Sequence, residues 1–159
     1  TKPIPQKKTA DDTQKEQTMD YSSNTIIEEK DGRKIWEIKA DSIVMNSQTK
    51  ETEMKNIQGK YYDANGQVLT LTSPHGTYDD KTKNIVLDNS VHVVSDDGMV
   101  FDAQKVTWND DNQLLTGEGN VKIVKGDMQA DGDKIESSDS FVQFKLSGNA
   151  HILKGSAAK

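Results

Sequence analysis

The sequence predicts an all-β fold of antiparallel hairpins, and three observations carry that prediction. Apolar residues alternate with polar ones instead of recurring at helical spacing, the pattern of strands with one buried face. Turn-forming pairs punctuate the chain at intervals of roughly 12 to 17 residues, which leaves no room for long helices. A short phrase also recurs: Gln58-Gly59-Lys60-Tyr61, Asp88-Asn89-Ser90-Val91-His92-Val93, Glu118-Gly119-Asn120-Val121-Lys122-Ile123 and Ser147-Gly148-Asn149-Ala150-His151-Ile152. The interval is 30 residues from Tyr61 to Val91, 30 from Val91 to Val121 and 29 from Val121 to Ala150. Such a period marks one supersecondary unit used several times, whose copies stack to share a core.

In chain order, residues 1–20 hold two of the three prolines and almost no large apolar side chain, so burial cannot offset their ordering entropy; they read as a flexible tether. Residues 21–155 read as one β domain and 156–159 as a short tail. After the turn Lys30-Asp31-Gly32 the first firm strand is Ile35 to Ala40, with Trp36, Ile38 and Ala40 on one face and Glu37 and Lys39 on the other. Ile57 leads to the first phrase, and Ala64-Asn65-Gly66 turns the chain into Val68 to Thr72, where Leu69 and Leu71 oppose Thr70 and Thr72. Asn-Gly and Asp-Gly supply the positive φ that tight hairpins need. Pro74 lacks a ladder donor and is expected to interrupt or end a strand.

Tyr78 precedes the turn Asp79-Asp80-Lys81. Val91 and Val93 flank His92 before Asp96-Asp97-Gly98, and Phe101, Ala103 and Trp108 precede Asn109-Asp110-Asp111-Asn112. Val121 and Ile123 end at Lys125-Gly126-Asp127; after Ser137-Ser138-Asp139 the last strands are Phe141 to Leu146 and Ala150 to Leu153, with Phe144, Leu146 and Ile152 inward. Small residues recur at Ala40, Ser73, Ala103 and Ala130, which suits two sheets approaching closely.

Composition narrows the function. The core is lean, with 32% hydrophobic residues and a mean hydropathy of -0.81, so regular placement has to do what abundance does not. The net charge of -6, from 26 acidic and 20 basic residues interspersed along the chain, offers no basic field for a phosphate backbone, and nucleic acid is not expected as a partner. No cysteine is present, which removes thiolate sites and disulfides. No apolar run approaches the roughly 18 residues of a spanning helix. His75, His92 and His151 are scattered and read as solvated strand histidines, and the acidic pairs lie in turns where Asp bonds its own backbone. No catalytic residue, cofactor or metal is called for; a carboxylate pair assembled in space, as in a glycosidase, stays open.

The phrases Trp36-x-Ile38-x-Ala40 after a Gly-x-Lys turn, Gly66 before Leu69 and Leu71, Gly76-x-Tyr78-Asp79, Ile85-x-Leu87, Val91-x-Val93 and Asp97-Gly98 resemble, in order and spacing, the periplasmic lipopolysaccharide-export family LptC. More broadly they resemble the OstA-like domain shared with LptA. The resemblance runs from about Ile26 to Leu153. It implies a slightly open β-jellyroll that carries lipopolysaccharide acyl chains inside. It also implies anchorage to the inner membrane by an N-terminal helix, docking on the LptF/LptG jellyroll of the export transporter, and delivery to LptA. No such helix is present in this sequence, which leaves open a shortened chain, a lipidated N-terminus or a soluble LptA-like bridge.

On that reading the lining is Trp36, Ile38, Ala40, Ile57, Leu69, Leu71, Tyr78, Val91, Val93, Phe101, Ala103, Trp108, Val121, Ile123, Phe144, Leu146 and Ile152, although each is equally accounted for as ordinary sandwich core. The docking edges are Ile35, Glu37 and Lys39 at one end and Gln143, Lys145 and Leu153 at the other, where unpaired backbone can accept another strand. A ligand-free structural module remains the alternative.

Overall fold

Strands that change neighbours partway along their length turn one sheet into two layers. The structure is a computed structural model and describes residues 16–20, 24–137 and 144–154. Its strands are β1 (Glu16–Asp20), β2 (Thr25–Lys30), β3 (Arg33–Asn46), β4 (Glu51–Tyr62), β5 (Val68–Asp79), β6 (Ile85–Asp88), β7 (Val91–Ser95), β8 (Val100–Ala103), β9 (Lys105–Asn109), β10 (Leu114–Lys125), β11 (Met128–Ser137), β12 (Phe144–Ser147) and β13 (His151–Lys154). All pairings among them are antiparallel, and the sheet does not close into a barrel.

β5 pairs β7 through Leu69–Thr72 and then β6 through His75–Tyr78. β10 does the same in reverse, pairing β9 through Leu114–Glu118 and β8 through Lys122–Val124. With β7 on β8 and β6 on β9, the long strands pass from one layer to the other at a common line of bends, and the product is the open jellyroll that the resemblance implied. We call the layer containing β7 and β8 the first and that containing β6 and β9 the second.

The bends are written in the sequence. Asn89 and Ser90 have φ of 62° and 81°, Gly119 and Asn120 have 88° and 48°, and Gly148 and Asn149 have 74° and 50°. These are the last three recurring phrases, so the period is a period of corners, held by Gly, Asn and Ser because other residues pay more for left-handed backbone. The first phrase is different. Gly59 sits in straight strand, and the matching bend is at Asn56, with φ of 55°.

Pro74 does not end a strand as expected: β5 runs through it. It falls where β5 has finished with β7 and not yet begun with β6, and where the register with β4 skips from Ile57–Ser73 to Lys55–His75. No ladder donor is needed there, so the missing N–H costs nothing.

Two further expectations are corrected. Glu16–Asp20, read as tether, form β1 against β2; residues 1–15 lie outside the described residues. Ile35, Glu37 and Lys39 are not on an edge, because that half of β3 lies between β2 and β4. Ile35 is 2% exposed: the register slips between Glu28 and Glu29, a bulge that lets Ile35 and Trp36 both turn inward. On this side the sheet ends at β1 in the first layer and at the far half of β3, Ser42–Asn46, in the second, each with a single partner strand among the described residues.

Candidate functional site: an apolar interior running from end to end

Inward positions line up across the sheet. In the first layer one registered row reads Ile26, Ile38, Gly59, Leu71, Val93, Phe101, Ile123, Ala130 and Ile152, a continuous apolar track crossing every strand from β2 to β13 in that layer. In the second layer a row nearer the side away from the bends reads Met45, Thr52, Tyr78, Ile85, Trp108, Leu115, Ser137 and Phe144. Between the layers the side chains form a single cluster. Alternation along each strand therefore becomes a lane across the whole molecule, since register aligns the inward residues of neighbours.

Of the predicted lining, Trp36, Ile38, Ile57, Leu69, Leu71, Tyr78, Val91, Val93, Phe101, Ala103, Trp108, Val121 and Ile123 are all buried, none more than 6% exposed. Ala40 and Leu146 pack partly buried against that cluster. Phe144 is placed by its backbone opposite Ser137. Ile152 departs from the expectation: it stands opposite inward-facing Ala130, yet it is 74% exposed because β13 has no neighbour beyond β11 among the described residues. Met45 at the other end is 43% exposed for the same reason. Inward positions thus reach solvent at Ile152 in the first layer and at Met45 in the second.

The bends are narrow. A methyl group at Gly76 would stand 2.6 Å from Ile57 Cδ1 and 2.8 Å from Leu87 Cδ2, and one at Gly117 would meet Ile135 Cγ2 at 2.9 Å and Phe101 Cε1 at 3.2 Å. Ala40, Ser73, Ala103 and Ala130 flank the same line, as their recurrence suggested. On the outer side of the bends lie two clefts of about 570 and 440 Å³, one over Asp41, Asn56 and Pro74 and the other over Asp102, Gln104 and Lys122.

Opposite the bends the layers are bridged by aromatic rings. Trp108 from β9 meets Tyr61 at 4.9 Å and Trp36 at 5.9 Å between ring centroids, and Trp36 meets Tyr61 at 5.2 Å. These tilted and edge-on contacts add to simple burial. Tyr61 was missed as an interior residue because the first phrase was read as a turn; the spacing Gly59, Tyr61 in continuous alternation was the available signal. Trp108 Nε1 donates to Asp110 Oδ1 at 3.2 Å. Burial, reinforced by Glu28 and the turn carboxylates, holds the Tyr78 phenol far above its ordinary range, so it stays protonated.

The histidines sit on the outer faces. His92 contacts Asp102 at 2.7 Å and His151 contacts Asp131 at 3.3 Å, both exposed. His75 lies between Asp88 and Glu53, and those hydrogen bonds raise its pKa. Among the described residues no group of His, Asp and Glu could hold a metal ion. On the predicted edges, Lys145 and Leu153 are exposed, Leu153 at 61%, while Gln143 lies outside the described residues.

An unclosed antiparallel jellyroll with an apolar interior defines the class of the protein as an OstA-like β-module. The model of the LptC-related lipopolysaccharide-assembly family matches residues 2–153, and the chain belongs to that family. Among solved structures it is similar to LptH of Pseudomonas aeruginosa, described as the LptA-homologous periplasmic component of the lipopolysaccharide transport device. The TM-score is 0.59 with 8% identity over 74% of this chain and 93% of that one. No curated protein is significantly similar in sequence.

Proposed function

We propose that this chain is a periplasmic bridge component that receives lipopolysaccharide from the inner-membrane transporter and passes it towards the outer membrane through its apolar interior. The observation that carries the reading is the registered track from Ile26 to Ile152, apolar throughout and uncovered at its far end. Carrying a lipid through water needs no bond chemistry; it needs apolar surface, at about 0.8 kcal/mol per buried methylene. The lining residues are the seventeen predicted above, together with Ile26, Tyr61 and Met45. In the empty protein the buried ones pack in a single cluster, so a lipid takes its place by parting the layers on the side away from the bends, where no strand joins them among the described residues.

Partners dock by strand addition. Among the described residues the far half of β3 and the strands β12 and β13 each have one unpaired backbone edge, and both ends carry apolar side chains that a second jellyroll would cover. We assign the LptF/LptG jellyroll of the inner-membrane transporter to one end and LptA to the other, a reading that family membership supports.

The test is photo-crosslinking in cells. A photoreactive residue at Leu71 or Phe101, inside the track, is expected to capture lipopolysaccharide, and one at Thr70, on the opposite face of β5, is not. Equal capture at Thr70 and Leu71 would end the carrier reading and favour a ligand-free structural module.

A further inference from the structure

The interior is layered. Toward the bends it is lined by Ile57, Leu71, Leu87 and Val106; away from them it holds hydrogen-bonding groups among the aromatic rings. Three of these groups have no partner among the described residues: Tyr78 OH, Thr52 Oγ1 and Trp36 Nε1, on side chains 1%, 0% and 1% exposed. Thr52 and Tyr78 are direct partners across β4 and β5 on the inner face of the second layer, so their side chains adjoin. Trp36 comes from the first layer and packs against Trp108, which lies in the same registered row as Thr52 and Tyr78, two strands along from Tyr78.

An unpaired buried donor or acceptor costs about 1–3 kcal/mol, and Phe, Val and a larger aliphatic would fill these positions without that cost. Two such groups side by side, with a third across the aromatic group, point to acceptors supplied by a bound molecule. The zone lies where the layers part, so a lipid with its tails against the bends would bring the start of each acyl chain to it.

We propose that Thr52, Tyr78 and Trp36 form a subsite for the oxygens at the acyl linkages of the carried amphiphile, its ester and amide carbonyls and chain hydroxyls. The subsite rests on the carrier reading. It gives the interior a means of distinguishing an acylated sugar from a plain hydrocarbon and of fixing how deeply the chains enter.

The experiment compares the full chain with Thr52→Val/Tyr78→Phe, and with Tyr78→Phe alone as the milder variant, using two probes: rough lipopolysaccharide, and diphenylhexatriene, a hydrocarbon fluorophore without oxygen. The variants are expected to be at least as stable to urea as the parent, because they remove unpaired polar groups. The double variant is expected to bind lipopolysaccharide roughly tenfold more weakly, the loss of one to two hydrogen bonds, with diphenylhexatriene binding unchanged. A folded variant with undiminished lipopolysaccharide affinity overturns the subsite and leaves the carrier reading standing, as does equal loss of both probes. A parent that binds neither probe removes the carrier reading itself and the subsite with it.

Discussion

His75 shows how much one outward side chain can hold together. Its Nδ1 lies 2.7 Å from Asp88 Oδ1 on β6 and its Nε2 2.9 Å from Glu53 Oε2 on β4. A neutral imidazole has one N–H, so with both carboxylates ionised only the imidazolium donates to both. The hydrogen bond with Asp88, then that with Glu53, raises its pKa; Lys55, directly opposite on β4, is the positive charge facing it. Because the folded value lies above the unfolded one of about 6.5, the stabilisation is complete below the unfolded value and is lost as pH rises through the folded value. His75→Gln should therefore lower the urea midpoint more at pH 5.5 than at pH 9; equal losses at the two pH values would show that the clamp carries no proton linkage. Gly117 makes a steric point at the same scale. A methyl there meets Ile135, Phe101 and Ala103 where the layers converge, and Gly117→Ala should cost about 1–3 kcal/mol in urea unfolding.

Among the elements, β13 is the one whose character only its neighbours decide. Its alternation matches that of any half-buried strand, and Ile152 does stand opposite buried Ala130, yet with β11 as its single partner among the described residues both Ile152 and Leu153 are exposed. Their replacement by Lys should leave the stability of the isolated chain within about 0.5 kcal/mol, as exposed positions do. The same pair of changes should abolish co-purification with LptA if strand addition at this edge is the docking mode. Retained co-purification would move the docking site elsewhere. β5 teaches the complementary lesson: Pro74 looks like a terminator, but the position where a strand exchanges partners has no ladder bond to lose.

At the scale of the whole molecule, both tryptophans lie in one inter-layer aromatic group within a single buried cluster, so the layers should separate in one step. Tryptophan emission and far-ultraviolet circular dichroism are expected to give coincident urea transitions; an earlier fluorescence transition would mean that the layers part before the strands melt, and would divide the molecule into two cooperative units.

Strand faces were legible in the sequence because period-two alternation is a local property: Trp36 with Ile38, Leu69 with Leu71 and Val91 with Val93 are all buried as the pattern implied. So were six of the turns and the 30-residue recurrence, since Gly and Asn mark many of the positive-φ positions, although Lys50, Lys83 and Gln113 adopt it without such a mark. What alternation leaves open is which strands meet. The bulge that turns Ile35 inward, the carboxylates that reach His75 from 22 and 13 residues away, the grouping of Tyr61 with the two tryptophans and the uncovered state of Ile152 all depend on pairing between distant segments. The chain by itself determined two-faced strands, their corners and the family they belong to; tertiary structure alone decided which inward faces are covered and which are left open at the ends, because burial belongs to neighbours that no local pattern names.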